Sequence, residues 1–147
     1  MDDSKPIKQK AHRLSQIQLT ALKEELKKLI DKGLIVPSHS PWSSPIVMVP
    51  KKNGKWRLCV DYRLVNNITK KDSYALPKIQ EIFDGLKDAT IFSTIDLFSR
   101  YHQIPMYTED QEITTFTTKF DNYYFKVMPF GLTNAPSTFQ REIKNIF

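Results

Sequence analysis

A chain of 147 residues has room for one domain with a real core, or for a large piece of a bigger one. Its formal charge of +6 and pI near 9.4 suit a polyanionic partner such as nucleic acid, with a solvated basic surface as the plain alternative. A single cysteine, Cys59, excludes an internal disulfide framework and a Cys-rich zinc site and, with no signal peptide in view, suggests a reducing compartment; the localisation is not fixed by the sequence, with an intracellular, cytoplasmic setting as the expectation.

His12, His39 and His102 are scattered without ligand spacing. No apolar run approaches the length of a membrane span, and neither a targeting segment nor an internal repeat is visible. Residues 1–15 are polar and charged and read as a tail, disordered or draped over a neighbour. Ser15-x-x-Gln18 is a capping box for a helix with Leu19, Leu22, Leu26, Leu29 and Ile30 on one face, which Gly33 is placed to end. Its lysines, Lys23, Lys27, Lys28 and Lys32, are interspersed with Glu24 and Glu25 and read as a solvated face. Residues 37–45 form a Pro/Ser linker, with Trp42 expected to bury against the first helix.

Two strands follow, over 46–49 and 56–62, joined around Asn53-Gly54, where both positions tolerate positive φ. Alternation puts Trp56, Leu58, Val60 and Tyr62 on one face and Arg57, Cys59, Asp61 and Arg63 on the other. The tip carries Lys51, Lys52, Lys55 and Arg57, which alone describe a lysine-protected sheet edge, the commoner use of such residues. Pro77 opens a short helix with Ile79, Ile82, Phe83 and Leu86 at helical spacing, closed near Gly85 and read as core support. Residues 90–95 read as a buried strand leading to Asp96. A second hairpin is expected from 112–120 and 122–128 about Asp121-Asn122, with Tyr124 and Phe125 as packing residues. Thr133 or Asn134 lies near the N-cap of a last helix, with Pro136 in its first turn.

Three segments together carry a family resemblance: Lys51-Lys-Asn-Gly-Lys-Trp-Arg-Leu-Cys-Val-Asp-Tyr-Arg63, Phe92-Ser-Thr-Ile-Asp-Leu-Phe-Ser-Arg-Tyr101 and Met128-Pro-Phe-Gly-Leu-Thr-Asn-Ala-Pro136. From about Lys10 onward the chain resembles the reverse transcriptases of gypsy-type long-terminal-repeat retrotransposons. The resemblance implies an α+β fold, the fingers and palm of a right-hand polymerase, with 16–89 mainly fingers and 90–147 palm and returning fingers. The family's Tyr-x-Asp-Asp hairpin would lie past Phe147, so a fragment with an incomplete aspartate set, inactive in isolation, is expected.

In such enzymes a 3′-hydroxyl attacks an α-phosphate while two divalent ions, roughly 3.5–4 Å apart, stabilise entry and exit. The resemblance makes Asp96 the first metal aspartate, with the Leu97 carbonyl a further Mg2+ ligand and the Ser99 and Arg100 N–H groups facing the triphosphate. Lys52 (or Lys51, since loop length varies in the family) and Arg57 would meet the phosphates from the fingertip. Tyr101 would lie beneath the sugar and exclude a 2′-hydroxyl, Phe130 and Gly131 would close the pocket, and Arg63 and Pro136 would follow the template. Phe130 stands where retroviral enzymes usually carry Gln, in keeping with a gypsy-type origin. The implied partners are an RNA or DNA template-primer, dNTPs and the rest of a polyprotein: palm, RNase H, integrase and protease. Two other readings remain: a decayed non-catalytic fragment, and a basic nucleic-acid-binding module that lost the chemistry.

Overall fold

The computed structural model describes residues 5–146; Met1–Ser4 of the expected tail and Phe147 lie outside the described residues. The order is α1 (Gln16–Asp31), β1 (Ile35–Pro37), β2 (Ser44–Pro50), β3 (Trp56–Val60), α2 (Arg63–Ile68), α3 (Ile79–Gly85), α4 (Thr108–Gln111), β4 (Phe116–Thr117), β5 (Asn122–Phe125) and α5 (Ala135–Ile146). Short 3-10 turns occupy Arg100–Gln103 and Glu112–Thr114. One five-stranded sheet runs β1-β5-β4-β2-β3, antiparallel except for the β2–β4 pair.

Local chemistry explains α1 at both ends. Gln18 N–H donates to Ser15 Oγ and Ser15 N–H to Gln18 Oε1, a reciprocal capping box. At the other end Gly33 takes φ +67°, its N–H reaching the Ile30 carbonyl while Leu34 N–H reaches that of Leu29. That pattern is a Schellman stop, which a Cβ would strain. The helix lays Leu22 and Leu26 onto Ile35, Ile46, Met48, Phe116 and Phe125 of the sheet, while Ile30 stays exposed. Leu22 and Phe116 have no solvent exposure. Leu22→Ala is therefore expected to cost about 2–5 kcal/mol in urea unfolding, whereas Ile17→Ala, on the solvent face, should stay within about 0.5 kcal/mol.

The β2–β3 hairpin pairs Pro50 with Trp56 and Ile46 with Val60. Only Gly54 of the expected Asn-Gly pair adopts positive φ, at +75°. Asn53 contributes its side chain instead, Oδ1 accepting the Lys55 N–H at 3.2 Å. The second strand stops at Val60 rather than Tyr62, because Asp61 Oδ1 takes the Arg63 N–H and turns the chain into α2, a helix not expected from the sequence. Tyr62 is buried, and its hydroxyl donates to the Thr114 carbonyl at 2.7 Å; burial pushes its phenol well above the ordinary 10.0. Trp42 is buried as expected, but in this second cluster with Tyr62 and Val65, not against α1. Residues 5–15 are not a free tail: Ile7 and Gln9 exchange backbone hydrogen bonds with Ser43, and Ile7 packs on the same cluster.

Three expectations are corrected. Residues 90–95 form no strand, and Ile91 is 87% and Ile95 67% exposed. An apolar run becomes a buried strand only when a neighbour completes its hydrogen bonds, and among the described residues none pairs with it. Helix α3 exists close to the expected bounds but has no buried residue, so it is not core support. Residues 112–120 are mostly turn. Thr114 and Thr115 hydroxyls donate to the Gln111 and Glu112 carbonyls at 2.6 Å, which holds a tight turn after α4 and leaves only Phe116–Thr117 as strand.

Candidate nucleotide-binding site

Asp96 lies exposed in a segment without regular secondary structure, shortly before a tightly wound turn. Ser99 is the one non-glycine residue with positive φ (+50°) among the described residues, and it starts the Arg100–Gln103 turn. Gln103 Nε2 donates back to the Phe98 carbonyl at 2.9 Å and His102 N–H to that of Ser99 at 2.7 Å. The following chain is tied to the sheet side by Met128 N–H to the Ile104 carbonyl and Met106 N–H to the Lys126 carbonyl. The turn is therefore anchored at its far end, and its direction is set.

This anchoring brings Tyr101 onto Phe130, with ring centroids 5.0 Å apart, although they are far apart in sequence. Phe139 of α5 meets the other side of Tyr101 edge-on at 5.5 Å, and His102 lies between Phe125 and Phe130. Phe139 and His102 were not foreseen as neighbours of Tyr101 and Phe130; only their place on α5 and beside Tyr101 could have suggested them. Gly131 follows Phe130 at φ +97°, where a Cβ would lie 3.4 Å from the Tyr62 ring. It is thus required by the bend itself. An apolar cavity of about 820 Å³ opens beside the turn, bordered by Leu97, Ile104, Leu132, Phe139 and Ile143.

Other expected residues fall elsewhere. Lys52 and Arg57 are exposed on the β2–β3 hairpin, and among the described residues no hydrogen bond or ion pair joins them to the Asp96 turn. Arg63 is engaged by Asp61 through three side-chain contacts, Nε to Oδ1 at 2.9 Å and to Oδ2 at 3.1 Å and Nη2 to Oδ2 at 2.6 Å, and this pairing holds the Asp61 carboxyl below its ordinary range. Pro136 is exposed in the first turn of α5. The Leu97 carbonyl and the Arg100 N–H, expected to face metal and triphosphate separately, bond to each other at 3.3 Å, because a 3-10 turn closes three residues on. The carbonyl keeps a second lone pair; the N–H is spent.

A hard divalent cation suits the oxygens present, one exposed carboxylate and one carbonyl, since magnesium takes few protein ligands and completes its shell with water and phosphate. Among the described residues no three His, Cys, Asp or Glu side chains gather to hold a metal by themselves. Asp96 alone therefore does not compose such a site.

Burial, and secondarily Lys32, lowers the His102 pKa from its ordinary 6.5. A base whose folded pKa lies below its unfolded one stabilises the fold above the unfolded value and loses that contribution as pH falls. The urea midpoint should consequently decline as pH drops below about 6.5, and His102→Gln should flatten that decline. Asp61 and Asp72, lowered from 3.8, titrate outside this window.

The helix-backed sheet, the exposed basic hairpin and the turn after Asp96 beside an aromatic pair make a mixed α/β fold that covers the fingers and palm region of reverse transcriptases. Residues 49–147 match the family described as reverse transcriptase (RNA-dependent DNA polymerase), and the chain belongs to that family. It is 41% identical over 146 residues to the retrovirus-related Pol polyprotein from transposon 297 of Drosophila melanogaster, which covers 96% of this chain and 14% of the polyprotein. Identity to the Pol polyprotein from transposon gypsy of the same fly is 37%, over 98% of this chain and 14% of that protein. The enzymatic polyprotein of cauliflower mosaic virus (strain Strasbourg) is 35% identical, over 99% of this chain and 22% of its own length. The chain thus spans less than a quarter of each of these relatives. In structure it is similar to the foamy viral protease-reverse transcriptase in complex with dsDNA, with TM-score 0.83, 25% identity, and coverage of 98% of this chain and 30% of that one.

Proposed function

We propose that this chain supplies the fingers and the first metal-binding carboxylate of an RNA-directed DNA polymerase. The observation that carries this is the Tyr101–Phe130 ring contact, which seats an aromatic platform five residues after Asp96 on a turn of fixed direction. A bound divalent cation, Mg2+ in our reading, would supply charge neutralisation for the attacking oxygen and the leaving pyrophosphate. Asp96 would hold that cation. Tyr101 would lie under the deoxyribose, leaving no space for a 2′-hydroxyl, with Phe130 and Gly131 behind it. Arg57, with Lys52 or Lys51, would bring fixed positive charge to the triphosphate, a role that suits a planar guanidinium. Residues 16–89 would act mainly as fingers and 90–147 as palm and returning fingers. A foamy viral neighbour is described in complex with RNA/DNA hybrid, which supports a template-primer as partner; protease, RNase H and integrase would be companions in a polyprotein.

The test pairs binding with synthesis. Residues 1–147 should bind template-primer weakly and without sequence preference, because the exposed cations at Lys51, Lys52, Lys55 and Arg57 attract phosphates without the metal site. Affinity in an anisotropy titration should fall about 10²-fold as salt rises from about 50 to about 200 mM. The chain continued through the remainder of the family's domain should extend a primer on an RNA template with Mg2+. Binding with no extension by the continued chain would favour a nucleic-acid-binding module instead.

A further inference from the structure

The connection after α2 is held to α5 by polar contacts that the polymerase reading leaves unused. Asn66 on α2 donates to the Gly131 carbonyl at 2.8 Å and accepts the Thr133 N–H at 2.9 Å. Asn134 donates to the Lys70 carbonyl at 2.8 Å and accepts the Asp72 N–H at 3.0 Å. Asp72 in turn accepts the Tyr74 N–H at 2.9 Å and Arg141 Nη2 at 2.5 Å, and the Arg141 guanidinium lies over the Tyr74 ring at 5.0 Å. These contacts close a ring: α2 to the 131–134 bend, the bend to α5, α5 through Arg141 to Asp72, and back to α2 along the chain.

Two features argue that this ring has a geometric use. Arg141 and Asp72 are partly exposed, and ion pairs of that kind contribute little to global stability. Their geometry is nonetheless specific, since one guanidinium both bonds the Asp72 carboxylate and lies over the Tyr74 ring, a combination that suits the planar, delocalised charge of arginine better than an ammonium. The bend so held is the one that carries Phe130 to Tyr101. We propose that Arg141 is a positioning residue for the nucleotide pocket: through Asp72 and Asn134 it locks the 70–74 connection to the start of α5, and so fixes the bend that sets Phe130 against Tyr101. The pocket half of this proposal rests on the polymerase reading; the latch does not. The Tyr74 N–H first, and then Arg141, hold the Asp72 carboxyl below its ordinary 3.8.

The latch is tested on residues 1–147 by site-resolved hydrogen exchange. Arg141→Met should speed exchange of the Asp72 and Thr133 amides about tenfold while leaving the amides of α1 unchanged. In the continued polymerase the same change should raise KM for dNTPs about fivefold with kcat per active site unaltered, and Arg141→Lys should recover only part of the loss. Asp72→Asn keeps the acceptor for Tyr74 N–H but loses the ion pair, so its effect on KM should not add to that of Arg141→Met. Parent-like exchange at Asp72 and Thr133 in Arg141→Met would overturn the latch. Faster exchange with an unchanged KM would reduce Arg141 to a structural role and overturn the positioning claim. A parent polymerase that adds no nucleotides would overturn the polymerase reading, and with it the pocket role, while the exchange result would still decide the latch.

Discussion

Asp96→Asn in the continued polymerase should reduce nucleotide addition by about 10³-fold or more while leaving template-primer affinity close to the parent's. The size follows from what the carboxylate is asked to do. Holding a cation against charge that develops at the α-phosphate is a contribution of several kcal/mol to the transition state, and each 1.36 kcal/mol is about tenfold in rate. The binding half follows from location, because the basic hairpin at Lys51–Lys55 and the Asp96 turn are separate parts of the fold. Asp96 is exposed, so the amide variant of residues 1–147 should match the parent within about 0.5 kcal/mol in urea unfolding. That control makes a loss of activity chemical, not structural. Primer extension near the parent rate by the variant would remove Asp96 from the metal site.

What could be read from the sequence divides by range. The capping box at Ser15 and Gln18, the stop at Gly33 and the leucine stripe of α1 are local rules, and all of them appear in the fold. Residues 90–95 satisfy the same kind of local rule for a strand and fail, since a strand also needs a partner and none is paired with it among the described residues. Trp42 gave its burial from composition but not its address, which depends on Tyr62 and Val65 far along the chain. The helices α2 and α4 were missed because side-chain hydrogen bonds to the backbone bound them: Asp61 accepts the Arg63 N–H at the start of α2, and the Thr114 and Thr115 hydroxyls donate to the Gln111 and Glu112 carbonyls after α4. The site shows the same split. Asp96, Tyr101, Phe130 and Gly131 could be named from ordered motifs, while the ring contact that brings Tyr101 to Phe130, and the presence of Phe139 and His102 beside it, are products of tertiary packing.

Tyr101→Val should erode sugar discrimination rather than catalysis. If the ring excludes a 2′-hydroxyl by occupying its space, a smaller side chain opens that space, and the penalty it imposed, about 2–3 kcal/mol, disappears. The ratio of kcat/KM for dNTP over rNTP would then fall about 10²-fold, chiefly because rNTP use improves. Packing complicates the experiment in a predictable way. Tyr101 contacts both Phe130 and Phe139, and each such ring pair contributes about 0.5–1.5 kcal/mol, so the valine variant should also be less stable. Tyr101→Phe separates the two effects. It keeps the ring and both aromatic contacts, and it should therefore retain the discrimination of the parent together with its stability. A steric gate requires that ordering, with phenylalanine selective and valine permissive. If valine destabilised the protein but left the dNTP/rNTP ratio where it was, Tyr101 would be a packing residue, and the clash that rejects ribonucleotides would have to come from another side chain.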